Sequence, residues 1–166
     1  MTLHPAIPRL ASLCSQWGGA LEIVDEQCWR DLFTKRRRQG YAEFPISHVG
    51  QYGVHWESKR VFVVADGAHV QPVIHEMAHV FASLTRPDWC NEYAFLGWEI
   101  ALARQVGAYA AWSRGMCQVG YTVENEGGTE WAALTRGERD AVIDDRLEHA
   151  RRIGILDENL RPRAVR

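Results

Sequence analysis

Apolar positions recur at helical spacing along much of the chain, and the stretches where they do not mark its strands and breaks. In residues 5–17, Ile7, Leu10, Leu13, Cys14 and Trp17 follow steps of three and four, which places them on one face of a helix. Gly18-Gly19 stops it. Ala20 to Val24 reads as a short strand. Residues 26–39 predict a second helix with Trp29, Leu32 and Phe33 inward and Gly40 at its end. The period then changes. Tyr52–Trp56 and Arg60–Ala65 are rich in β-formers, and Glu57-Ser58-Lys59 joins them as a short turn, the pattern of a β-hairpin. Asp66-Gly67 breaks the second strand. Beyond it, Ile74, Met77, Ala78 and Phe81 stand at i, i+3, i+4 and i+7, an apolar stripe that predicts a buried helix. Pro72 suits its first turn, and Pro87 ends it.

Asp88 is a candidate N-cap for the next helix, residues 91–103, which is apolar nearly all round and is therefore expected to be buried. Residues 107–134 read as less regular. Tyr109, Trp112, Trp131 and the loop Glu124-Asn125-Glu126-Gly127-Gly128 carry no motif there. A last helix starts at Thr135, with Glu138 completing a capping box, and runs through Ile143, Leu147 and Ala150 to Gly154. Residues 160–166 are basic and expected to fray. The elements predict an α+β fold, mostly helical, with a small β-sheet or hairpin before one central helix. With no repeat, low-complexity segment or linker, residues 1–166 read as one domain.

Composition changes this picture little. The chain has 166 residues, enough for one sizeable core. Its 46% hydrophobic and 24% charged residues are ordinary for a globular protein, and seven tryptophans suggest a core rich in large aromatics. A formal net charge of −2 supplies no global field for nucleic acid or anionic membrane. Lys35-Arg36-Arg37-Arg38 is one basic run, which fits a solvated helix C-terminus; with no second cluster beside it, nucleic acid is not expected as a partner. No apolar run approaches membrane-spanning length. Met1-Thr2-Leu3-His4-Pro5 lacks a basic region leading into an apolar stretch, so no signal peptide is expected. Cys14, Cys28, Cys90 and Cys117 are widely spaced and fit reduced thiols in a cytoplasmic protein.

The chemistry is concentrated in the central helix, which carries His75-Glu76-Met77-Ala78-His79, an H-E-x-x-H sequence. Positions four apart lie one above the other, so His75 and His79 can present two imidazole nitrogens to one ion. Zinc takes such nitrogens, with a third protein ligand and one position left for water. Glu76 points round the helix and can face that water as general base. The buried helix that follows carries Glu92 and Glu99, seven apart on one face. A buried carboxylate needs a cation or hydrogen bonds. A zinc ion on the neighbouring helix would supply the first, and Arg104 or His69 a salt bridge. Gly97 between them suggests a close helix approach near the metal. If the motif helix runs to about Arg86, its histidines lie roughly 10–17 Å back from its end at 1.5 Å per residue. An antiparallel partner reaches that level near residues 95–100, which favours Glu99 over Glu92 as third ligand. His48, His55 and His69 lie upstream as further possible ligands or substrate contacts, or as loop and strand histidines without a role.

H-E-M-A-H followed by a helical Glu resembles the gluzincin metallopeptidases, and the nineteen residues between His79 and Glu99 are similar to the interval in thermolysin-type enzymes. The hairpin leading into the motif resembles the small metallopeptidases of the ImmA/IrrE type found with phages and mobile elements. The likeness spans about residues 52–103. It implies a minimal zincin-like domain, a Zn2+ ion held by His75, His79 and Glu99 (or Glu92), and hydrolysis of a peptide bond in a protein or peptide substrate. Glu76 would take a proton from the metal's water and return it to the leaving amine. Tyr93, Tyr109 and Tyr121 are candidates by residue type for stabilising the transition state. A chain this short leaves little material for a deep cleft, which favours a specific protein partner over general digestion. A zincin-fold binding or regulatory protein, with metal but without significant proteolysis, is the alternative; the intact Glu76 argues against it.

Overall fold

The computed structural model describes residues 3–31, 52–55, 59–64, 69–86, 92–123 and 128–163. Several expected features lie outside them: the second helix beyond residue 31 with Lys35–Arg38, His48, the turn residues Glu57 and Ser58, Asp66-Gly67, Pro87, Asp88, Cys90 and the Glu124–Gly127 part of the loop.

The first stripe forms α1, Ala6–Gln16, which buries Ala6, Ile7, Leu10 and Cys14 and ends at Gly18-Gly19 as the sequence predicts. Strand β1 (Ala20–Val24) follows, and residues 26–31 are helical (α2). Strands β2 (Tyr52–His55) and β3 (Arg60–Val64) pair antiparallel, as expected of the hairpin. The sheet is larger than the hairpin, because β1 adds to β3 in parallel and gives the order β1-β3-β2. Side chains alternate across a strand, and β3 is buried on both faces. Val61 and Val63 enter the main core, while Phe62 and Val64 pack with Trp29 of α2 in a second, smaller cluster.

Residues 70–85 form one continuous helix, α3. It is α-helical over Val70–Met77, π-helical over Ala78–Ala82, and α-helical again over Ser83–Thr85. Its predicted stripe is fully buried at Ile74, Met77, Ala78 and Phe81. Arg86 leaves it with φ −137° and ψ 79°, outside the helical region, which a residue before proline disfavours. Helix α4, Glu92–Gln105, packs against α3 on one side and against the last helix on the other.

Residues 107–134 are more regular than the sequence suggested. Tyr109–Gln118 is a ten-residue helix, α5, followed by a two-stranded ribbon (β4, Thr122–Val123; β5, Thr129–Glu130) and a 3-10 turn at Trp131–Ala133. Its face is set by Ala108, Trp112 and Met116, all buried at steps of four. The last helix, α6 (Arg136–Arg152), has the expected capping box: Thr135 accepts from the Glu138 amide, and Glu138 reaches back to the Thr135 amide. The tail does not fray at residue 160. Ile155 and Leu156 are buried, Arg163 N bonds the Ile155 carbonyl, and the Asp157 side chain accepts from the Asn159 and Arg161 amides. Among the described residues no helix is long and apolar enough to cross a membrane. Cys14, Cys28 and Cys117 are free thiols, and burial pushes that of Cys14 up to about 12.

Gly97 does mark a close approach, but to a different helix from the one expected. A Cβ there would stand 2.2 Å from the Arg146 carbonyl oxygen and 2.8 Å from the Ala150 Cβ, both on α6. At an exposed helix position Gly→Ala stabilises by up to about 1 kcal/mol. Here Gly97→Ala is expected to destabilise by about 1–3 kcal/mol through overpacking. Urea unfolding measures the sign directly, and a gain in stability would disprove this tight crossing.

Candidate metal centre

Helix α3 carries His75 and His79 on one face, one turn apart, with ring centroids 4.6 Å apart and planes at 89°. Their Nε2 atoms face each other at 3.1 Å. Two nitrogens bound tetrahedrally to one zinc at 2.0–2.1 Å stand about 3.3 Å apart, so the pair is spaced to share an ion. Phe95 of α4 packs edge-on against His79, with centroids 5.1 Å apart.

Behind His75 lies a carboxylate on the far flank of the ring. Glu99 Oε1 is 2.8 Å from His75 Nδ1, and Trp112 Nε1 donates to Glu99 Oε2 at 2.9 Å. Glu99 is 3% exposed and Trp112 is fully buried. Trp112 in turn packs against Trp131, whose Nε1 donates to Ser113 Oγ at 2.9 Å. The His75–Glu99 and His79–Phe95 contacts fix α3 and α4 as antiparallel, with 75 level with 99 and 79 with 95. This is the level reached from helix lengths alone. The partners of Glu99 are nonetheless His75 and Trp112, not the Arg104 or His69 considered as salt-bridge partners. Arg104 lies over the Tyr109 ring at 5.7 Å, and His69 is exposed just before α3. As a third ligand Glu99 would have to leave both its hydrogen bonds.

Glu92 opens α4, two turns before Glu99; its side chain, like that of His55 in β2, lies outside the described residues. Among the described residues, no three His, Cys, Asp or Glu side chains converge on one point. Of the tyrosines, Tyr93 is engaged with α6, its hydroxyl donating to Asp145 and the Arg146 guanidinium lying 3.4 Å over its ring. Tyr109 stacks near Trp112, centroids 5.8 Å apart. The sequence reading missed Trp112 as a site residue. Its signal was there in the four-residue steps of Ala108, Trp112 and Met116, which put its indole on the inward face of a helix.

Burial tunes both flanking groups. Glu76 is 4% exposed. Its carboxyl is pushed up to about 7, first by desolvation, with the His75 charge opposing and Glu99 adding. Burial, and then His75, lower His79 to about 4, against the opposing pull of Glu99. A neutral His79 keeps its ring lone pair at neutral pH, which metal binding requires. In the metal-free protein the two act on stability with opposite signs. The His79 contribution is present above its unfolded value of 6.5 and is lost as pH falls toward 4. The raised Glu76 pKa destabilises the fold as pH climbs from 4.5 through 7. The stability of metal-free Glu76→Gln relative to wild type should therefore rise over that interval, by about 3 kcal/mol. Chemical denaturation at stepped pH checks this, and a flat difference would show that Glu76 ionises as freely folded as unfolded.

No family model, curated protein or solved structure matches the chain.

Proposed function

We propose that the chain is a zinc-dependent metallopeptidase of gluzincin-like type, hydrolysing a peptide bond in a protein or peptide. The observation that carries the reading is the pair of Nε2 atoms 3.1 Å apart with a buried carboxylate, raised to about 7, on the residue next to His75. His75 and His79 would hold the ion. Of the two carboxylates on α4, Glu99, the third ligand expected from the sequence, has both oxygens engaged in the metal-free protein; Glu92, the first residue of α4, is the alternative. A zinc ion in such a site lowers the pKa of its water toward about 7 and polarises a carbonyl. Glu76 supplies the base. Burial raises its carboxyl in the metal-free protein, and a bound cation would pull it back toward the ionised form, which can accept the water's proton and return it to the leaving amine. Phe95 and the α3 core keep the imidazoles packed on one side, so substrate would approach from the quarter-exposed side of His75.

Protein purified without chelator is expected to carry about one zinc per chain. It should cleave members of a diverse peptide library, with cleavage lost on chelation and restored by zinc. Stoichiometric zinc without cleavage of peptides or proteins would leave the binding-protein alternative; absence of zinc after reconstitution would remove the metallopeptidase.

A further inference from the structure

We infer that Glu99 and Trp112 are positioning residues that hold His75 with its proton on Nδ1 and its Nε2 lone pair turned toward His79. The purpose of this arrangement rests on the zinc reading above, but the arrangement itself does not. An indole N–H only donates, so Glu99 Oε2, 2.9 Å from Trp112 Nε1, is an acceptor there. That orients the carboxylate and presents Oε1 to His75 Nδ1 at 2.8 Å. At 3% exposure Glu99 has little access to water as a substitute partner. Free neutral histidine in water favours the opposite tautomer, with the proton on Nε2. Left to itself, His75 would therefore present an N–H where a ligand atom is needed. The three residues come from α3, α4 and α5, so the tautomer of one ring depends on the docking of three helices. Trp112 is held in turn by Trp131, ring centroids 5.5 Å apart, and by the Ser113 hydroxyl that anchors the Trp131 indole. This explains why one of the buried tryptophans sits on α5 with its nitrogen aimed at α4. A hydrogen-bonded partner on the second ring nitrogen is the usual means of fixing a ligating histidine.

The test is the tautomer of His75, read from its ring nitrogen chemical shifts in 15N-labelled, metal-free protein at a pH where the ring is neutral. Wild type is expected to show Nδ1–H. Trp112→Phe keeps an aromatic ring but removes the donor, and should populate both tautomers and weaken zinc 10–100-fold in chelator competition. Glu99→Gln, close to isosteric, should also shift the tautomer and covers the case in which Trp112→Phe fails to fold. An Nε2–H tautomer in wild type, or an unchanged Nδ1–H tautomer in both Trp112→Phe and Glu99→Gln, overturns the inference. The shifts need neither zinc nor cleavage, so failure of the metallopeptidase reading leaves a different signature: the expected tautomers with no metal bound.

Discussion

Glu76→Gln should retain its zinc and hydrolyse peptide about 10²–10⁴-fold more slowly than wild type, the range usual for loss of a positioned acid–base group. The amide matches the carboxylate in shape, and it cannot accept a proton. Residue 76 is 4% exposed and lies between His75 and His79 on α3. An isosteric change there therefore disturbs packing little. The neutral amide also removes the desolvation that pushes the carboxyl up to about 7. Around neutral pH the metal-free variant should thus be more stable than metal-free wild type, and the zinc-loaded variant less active. This pairing separates a catalytic base from a structural carboxylate, whose removal lowers both. Zinc content and single-turnover cleavage on the same preparation decide it. Wild-type turnover in the variant would take Glu76 out of the mechanism.

His75→Ala and His79→Ala should each abolish stoichiometric zinc, because one imidazole and one carboxylate make too few ligands for a zinc site. Any rise in Tm that zinc produces in the wild type through preferential binding to the folded state should vanish with it. The two variants should then differ from each other. His79→Ala removes a ring that contacts His75 and Phe95. His75→Ala also strips Glu99 of a partner while leaving its carboxylate 3% exposed. Leaving a buried acceptor short of a hydrogen-bond partner costs about 1–3 kcal/mol. His75→Ala should therefore be the less stable metal-free protein. Retained zinc in both variants would place the metal elsewhere.

The central helix was legible because its stripe, Ile74, Met77, Ala78 and Phe81, keeps a strict period and carries two histidines at one-turn spacing. Helix α4 was legible by its unbroken apolarity, and α6 by its capping box. Helix α5 was not, because Ser113 and Gly115 weaken its propensity. Gly115 is there for packing: a Cβ would stand 2.4 Å from the Gln71 Cβ on α3. A residue chosen for a helix crossing looks from sequence like a residue chosen for a turn. The addition of β1 to the hairpin was equally hidden, since a parallel pairing depends on a long connection and leaves no local mark. At the site, helix lengths brought Glu99 level with His75. They could not say which ring nitrogen it meets, for that depends on the Trp112 donor from a third helix.

The π turn at Ala78–Ala82 bears on how this helix tolerates change in length. A π turn is an α-helix carrying one surplus residue, with the strain absorbed locally. The two α-helical ends keep their phase against the core on either side of it. Loss of one residue at Val80–Ala82 would tighten the turn to plain α-helix and leave His75 and His79 four apart. The same loss at Glu76–Ala78 would swing His79 by about 100° off the shared face. Among descendants of this chain, single-residue gains and losses in the helix should therefore collect just past the second histidine and be missing between the two.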